Sequence, residues 1–214
     1  MAKATRFKAV LFDFDGTLVE THGLILASYN HALTANGKPA VDMSFLSKWA
    51  GVPLRDVFTK MGYTAQENDA ILASYKEFQK GNLHLTRAFP GTKETLEELK
   101  QKKIKVGIVT ARYAASTKLM LEHTGLGHFI KEIIAPDNFS KNKPSPEPFL
   151  ECARLIGVNA KDCLVVGDGC ADIVGGHDAG MKTALAEYGY GAAHGCHQKP
   201  DFKLKKVADV LNLV

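Results

Sequence analysis

Residues 7–12, Phe-Lys-Ala-Val-Leu-Phe, are apolar at every position but Lys8. A short continuous run of this kind predicts a strand buried on both faces of a parallel sheet. From Glu20 the period changes. Leu24, Ile25, Ala27, Ser28, Ala32 and Leu33 recur at helical spacing over 20–36, and Gly37-Lys38-Pro39 ends the run. Shorter helical stretches follow at 42–50 and 53–61, and a longer one at 65–81 carries Ala70, Ile71, Ala73, Tyr75 and Phe78 before Gly81-Asn82. No strand-like alternation interrupts this region, so residues 20–84 read as a small all-helical insert after the first strand.

Beyond Pro90-Gly91 the two periods alternate. Helices are expected at 92–103, 113–123, 146–156 and 171–179, strands at 106–109, 130–135, 163–166 and 182–186, and a terminal amphipathic helix at 204–213. Such alternation specifies an α/β protein with a doubly wound, Rossmann-like parallel sheet and helices on both faces. The core domain then comprises residues 1–19 and 85–214, with the helical insert at 20–84.

Composition narrows the class without naming a function. The chain has 214 residues, 45% hydrophobic and 23% charged, enough for one full domain and an appendage. Its net charge of +4 is spread over several segments, which suits an anionic substrate. No dense basic run with interleaved aromatics points to nucleic acid. Lys100, Lys102, Lys103 and Lys105 fall at a helix end, where cations favour the macrodipole. No apolar run reaches the roughly 18 residues of a membrane helix. The four cysteines, Cys152, Cys163, Cys170 and Cys196, have no paired spacing, so reduced thiols in a cytoplasmic protein are expected.

The candidate chemistry lies where the expected strands end. Asp13 and Asp15 follow the first strand, Thr110 the second, and Asp168 and Asp172 the fourth, while Lys143 stands in the loop Asn142-Lys143-Pro144-Ser145-Pro146. In a parallel sheet these ends converge on one edge, the usual ligand site of open α/β folds. Taken alone, Asp13-Phe14-Asp15-Gly16-Thr17 fits a strand-ending Asx turn as well as a catalytic pair. Together the groups suit phosphoryl chemistry. Carboxylates hold Mg²⁺, a lysine and a hydroxyl neutralise phosphoryl oxygens, and an aspartate can serve as nucleophile beside a second acid.

At these residues the chain resembles the haloacid dehalogenase superfamily, in its branch of phosphoglycolate phosphatase-like and β-phosphoglucomutase-like enzymes with a helical cap. Asp13-Phe14-Asp15-Gly16-Thr17 matches the first family motif and Val109-Thr110-Ala111-Arg112 the second. Lys143-Pro144-Ser145-Pro146-Glu147-Pro148-Phe149 matches the third, and Gly167-Asp168-Gly169-Cys170-Ala171-Asp172 the fourth. The resemblance implies a Mg²⁺-dependent phosphatase acting on a small phosphorylated metabolite through an aspartyl-phosphate, with phosphoglycolate as leading substrate. It implies Asp13 as nucleophile and metal ligand, and Asp15 as general acid/base with its backbone carbonyl on the metal. Thr110, the Ala111 N–H and Lys143 would hold the phosphoryl group. Asp168 would ligate Mg²⁺, and Asp172 would stand one step back from it. The helical insert becomes a cap that closes over the pocket.

Within that cap, Trp49-Ala50-Gly51-Val52-Pro53-Leu54-Arg55 resembles the family's substrate-facing loop. Arg55 is the candidate for leaving-group recognition, against the alternative of a surface arginine at a helix start. Glu20, His22 and Arg112 border the expected pocket as substrate contacts or as hinge residues. A phosphomutase, and a phosphate-binding regulatory protein that no longer turns over, remain alternatives to the phosphatase. His194-Gly195-Cys196-His197 has the look of a metal cluster but lacks a fourth ligand, and a surface loop is the simpler reading. A monomer or weak dimer is expected, with no nucleic-acid or membrane partner.

Overall fold

The computed structural model describes residues 7–49, 52–190 and 196–214. Strands β1 (Ala9–Phe12), β4 (Lys105–Val109), β5 (Glu132–Ile134), β6 (Cys163–Gly167), β7 (Lys182–Ala186) and β8 (Phe202–Leu204) form one sheet in the order β5-β4-β1-β6-β7-β8. All its pairings are parallel. β1 is central, with Phe12 opposite Ile108 on one side and Val166 on the other. Its apolar run is therefore buried on both faces. Val10 and Phe12 point into a cluster with Leu96 and Leu99 of α5 (Thr92–Gln101), while Ala9 and Leu11 point into one with Phe149 and Cys152 of α7 (Glu147–Leu155). Helices α6 (Ala114–His123) and α8 (Cys170–Asp178) complete the layers.

Helices α1 (His22–Ala35), α2 (Met43–Trp49), α3 (Leu54–Lys60) and α4 (Ala65–Gly81) follow β1 and enclose an apolar cluster of their own. Tyr29, Leu33, Phe58 and Ile71 are at its centre. α4 starts on a capping box, in which Thr64 Oγ1 accepts the Glu67 N–H and Glu67 Oε2 accepts the Thr64 N–H.

Three expectations are corrected. First, the helical insert is anchored by a ribbon that periodicity did not signal: β2 (Val19–Glu20) pairs antiparallel with β3 (Arg87–Ala88). Two-residue strands carry no period to read.

Second, the terminal segment is not an amphipathic helix. Residues 202–204 add β8 to the sheet beside β7, and only a 3₁₀ turn, Val207–Asn212, follows. Asp201 accounts for the strand. Its carboxylate accepts the Thr183 N–H at 3.0 Å and the Lys182 ammonium at 2.5 Å, laying the chain along the edge of β7.

Third, the cysteines are not all free. Cys170, at the start of α8, is disulfide-bonded to Cys196, 26 residues away, while Cys152 and Cys163 are free and buried. The segment after β7 returns across the N-terminus of α8, a tertiary contact that no local spacing announces. A crosslink closing a loop of this length stabilises by about 3 kcal/mol in the chain-entropy account. Adding a thiol reductant to air-purified protein is expected to lower the denaturant midpoint accordingly, and Cys196→Ser is expected to remove that response. Peptide mapping without reduction should recover Cys170 and Cys196 as one crosslinked pair.

Candidate active site

Asp13 continues β1 by one residue, its N–H donating to Val166 O at 2.8 Å, and its Oδ1 accepts the Phe14 N–H at 2.6 Å. The chain then turns at Gly16 in the left-handed region, with φ +77°. A side chain there is excluded twice over, since a Cβ would also lie 2.4 Å from Asp168 Oδ2. Gly167 at the end of β6 is equally constrained, because its missing Cβ leaves the space that the Asp172 carboxylate fills. Thr110 leaves β4, Asp168 leaves β6, and Asp172 sits in the first turn of α8. Parallel pairing with β1 at the centre brings all of them to one edge.

Lys143 enters this edge from its loop and is almost wholly buried. Its Nζ lies 2.7 Å from Asp172 Oδ1 and 3.0 Å from Asp13 Oδ1. The Lys143–Pro144 peptide bond is cis. Oxygens of Asp13, Asp168 and Asp172 all lie within 4.8 Å of one another. Three carboxylates face one ammonium, and burial together with the excess negative charge raises the pKa of two of them. Burial pushes the Asp13 carboxyl well above its ordinary value, with Lys143 opposing and Asp172 and Asp168 adding to the rise. Asp168 is pushed up to about 7, by burial first and by Asp172 next. Burial acts on Lys143 in the opposite direction, but Asp13 and Asp172 outweigh it and hold the ammonium well above its ordinary value. Hard oxygen donors with surplus negative charge, close enough to share one ion, fit Mg²⁺.

Asp15 is held apart from this cluster. The Arg112 guanidinium grips it as a fork, Nε to Oδ2 at 2.9 Å and Nη2 to Oδ1 at 2.7 Å, and Thr21 Oγ1 donates to Oδ1 at 2.5 Å. Arg112 is buried, and its Nη1 donates to Gln79 Oε1 on α4 at 2.9 Å and to Ser116 Oγ at 3.0 Å. Among the residues expected to meet substrate, Arg112 is thus turned toward Asp15. Its backbone N–H donates to Thr110 Oγ1 at 3.1 Å.

The other tentative contacts stand elsewhere. Arg55 is exposed, paired with Asp69 at 2.7 Å and hydrogen-bonded to the side chain of Tyr113, and it does not itself line the cavity. Glu20 is likewise absent from the lining and pairs with Arg87 at 2.6 Å across the β2–β3 ribbon. His194 and Gly51 fall outside the described residues. Cys196 is taken by its disulfide, and among the described residues the aspartate cluster is the one group of three or more ligand-type side chains close enough to hold a metal ion.

The motifs did not reveal Tyr190, Thr21 or Gln79. Tyr190 donates its N–H to Asp168 Oδ2 at 2.7 Å, while its hydroxyl oxygen accepts the N–H groups of Thr21 at 2.5 Å and His22 at 2.9 Å. Its ring stacks on His22 with centroids 3.5 Å apart. One residue therefore ties the Asp168 carboxylate, through its backbone, to the entry of α1, through its side chain. Gln79, a buried amide on an otherwise amphipathic helix, is the one of the three that its sequence position could have flagged. Asp13, Asp15, Thr110, Ala111, Lys143 and Asp168 all line a cavity of about 580 Å³ whose roof is formed by the helical insert.

Removing the ammonium should expose the imbalance. Lys143→Met is expected to destabilise the metal-free fold by about 3 kcal/mol at pH 8, because it leaves buried carboxylates without a counter-charge. Their folded pKa values would then rise further above the unfolded value of about 4, so the penalty is present at high pH and fades as pH falls to that value. Denaturant midpoints of parent and variant at pH 8 and pH 4.5 check this; a loss of equal size at both would contradict it.

Residues 10–186 match the haloacid dehalogenase-like hydrolase family. A pyrophosphatase PpaX of Bacillus cereus (strain AH820) is 33% identical over 211 residues, spanning 98% of this chain and 97% of that protein. The PpaX of Bacillus thuringiensis (strain Al Hakam) is also 33% identical with the same coverage. Among solved structures, a predicted phosphoglycolate phosphatase from Haemophilus somnus 129PT superimposes with a TM-score of 0.88, 28% identity and 99% coverage of both chains. A β-phosphoglucomutase from Clostridium difficile shares the fold, with a TM-score of 0.81 at 19% identity, covering 95% of this chain and 93% of that one. Likeness sustained from end to end at this level makes the chain a member of the haloacid dehalogenase-like hydrolase family, a hydrolase of phosphate esters.

Proposed function

We propose that the protein is a Mg²⁺-dependent phosphatase that cleaves a small phosphorylated metabolite through a phospho-aspartate on Asp13. The observation that carries this reading is the placement of Lys143 between Asp13 and Asp172, with Asp15 gripped separately by Arg112. The division gives the two neighbouring carboxyls separate partners, and the Lys143 ammonium favours the ionised form of Asp13 that a nucleophile requires.

Asp13 attacks phosphorus, the bond from phosphorus to the leaving oxygen breaks, and protonated Asp15 gives that oxygen its proton. Asp15 then takes a proton from water as the water attacks phosphorus, and the bond to Asp13 breaks to release phosphate. Thr110 Oγ1, the Ala111 N–H and the Lys143 ammonium meet the phosphoryl oxygens, where charge develops in the transition state. Asp13 and Asp168, with the Asp15 carbonyl, would hold Mg²⁺, and Asp172 would keep Lys143 in place. Bound there, the ion supplies neutralisation of the phosphoryl charge and a fixed orientation for the group. Phosphoglycolate and pyrophosphate, suggested by the names of the relatives, are the first substrates to assay.

Phosphate release is expected with Mg²⁺ and is expected to fall to background with EDTA. Asp13→Asn should abolish turnover while leaving the circular dichroism spectrum unchanged; normal activity would refute the nucleophilic role.

Arg112 acts here as a positioning residue. Arg112→Gln is expected to lower kcat by about 10²-fold, the low end of what a placed acid/base supplies, with a smaller change in KM. Arg112→Lys, which keeps the charge but loses the fork, should recover only part of that loss. A variant that raises KM alone would return Arg112 to substrate binding.

A further inference from the structure

Building on the phosphatase reading, we propose that the leaving alcohol of the preferred substrate carries a sizeable apolar group, taken up by the cap side of the cavity.

The argument begins with the walls. Ile25, Leu46, Trp49, Val52 and Leu54 from the helical insert, with Tyr113 at the start of α6, line the cavity above the aspartates. All but Leu46 are partly buried residues packed against the cap's own core, so each keeps apolar surface for the cavity. Lysines lie over the two aromatic rings, Lys48 and Lys60 over Trp49 at 5.5 and 5.8 Å and Lys76 over Tyr113 at 4.6 Å, so the bare part of the wall is the aliphatic one of Ile25, Leu46, Val52 and Leu54. At about 580 Å³ the space is far larger than a phosphoryl group and a two-carbon acid require.

The cations decide against an anionic leaving group. Among the described lining residues, Lys143 is committed to Asp13 and Asp172, and Arg112 to Asp15. Lys76 lies over the Tyr113 ring at 4.6 Å and Lys80 lies 3.6 Å from Glu77; both are exposed, at the rim. His22 has its pKa lowered by burial, against the pull of Asp15 and Glu20, and so favours its neutral form. Arg55, the guanidinium that could have read a carboxylate, is held by Asp69 and by the Tyr113 side chain and does not itself line the cavity. A carboxylate or second phosphate would lose its hydration against apolar walls without a free guanidinium to meet it. An apolar group would gain from the same burial. The chemistry is unchanged: the P–O bond breaks and the alcohol leaves with the proton that Asp15 supplies.

The test compares 2-phenylethyl phosphate with ethyl phosphate, phosphoglycolate and pyrophosphate, with Mg²⁺. The first two share an unactivated primary-alcohol leaving group, so their ratio reports on burial of the ring. A kcat/KM at least about tenfold higher for 2-phenylethyl phosphate than for each of the others is expected, as for a sizeable group entering an apolar pocket. Trp49→Ala should pull the phenylethyl-to-ethyl ratio toward one. Because Trp49 and Leu54 both pack in the cap, Leu54→Gln, which changes polarity at similar volume, serves as a second variant with the same expected direction, and the circular dichroism spectrum of each is checked against the parent. A ratio near one in the parent, or a preference for phosphoglycolate or pyrophosphate, overturns the inference and leaves the phosphatase intact. Silence on all four compounds overturns the phosphatase reading, and this inference falls with it.

Discussion

The Lys143 ammonium, buried between Asp13 and Asp172, is the contact on which the rest of this structure depends. A parallel sheet with a central apolar strand collects polar residues at one edge whether or not their charges are compatible. Here it collects Asp13, Asp168 and Asp172 within one ion's reach. Without a cation, those carboxylates would either take up protons or open the edge to water. One lysine from a distant loop keeps them together, and it leaves enough negative charge to accept a divalent ion. Stability and the proposed chemistry make opposite demands on this cluster, since full neutralisation would stabilise the fold and remove the negative charge that suits a divalent ion.

Steric constraints reinforce the electrostatic one. Gly16 and Gly167 are positions where a Cβ would fall within van der Waals range of Asp168 or Asp172. Each glycine leaves room for a carboxylate rather than merely allowing a turn. Tyr190 adds a third hold on the cluster, through Asp168, and extends it to Thr21 and His22 at the entry of α1. The aspartates are therefore fixed from the sheet, from the third-motif loop and from the segment after β7.

Much of this was legible in the sequence because it rests on period and spacing. The run at 7–12, the alternation after Pro90 and the order Asp13, Thr110, Lys143, Asp168 are local patterns, and the sheet converts them into proximity. What escaped depends on contacts between segments with no mutual signal. β8 forms because Asp201 reaches Lys182 and Thr183, and three residues of alternation are too few to announce a strand. The Cys170–Cys196 bond, the β2–β3 ribbon and Tyr190 are of the same kind. Arg55 shows the converse. Its type and motif position suited substrate, but Asp69, 14 residues on, occupies its guanidinium.

The grip on Asp15 also links the two parts of the chain. Arg112 touches Asp15 through one side of its guanidinium and Gln79 of α4 through the other, and Gln79 in turn donates from Nε2 to Tyr75 in the cap core. Thr21, at the entry of α1, completes the hold on Asp15. Every partner of the Asp15 carboxylate thus belongs either to the hinge or to a residue that the cap itself holds. Displacement of α4 would loosen Arg112 before it disturbed Asp13, because Asp13 is secured by the sheet and by Lys143. In the proposed mechanism, the nucleophile is thus held by the sheet and by Lys143, and the acid/base by contacts that run to the helical insert.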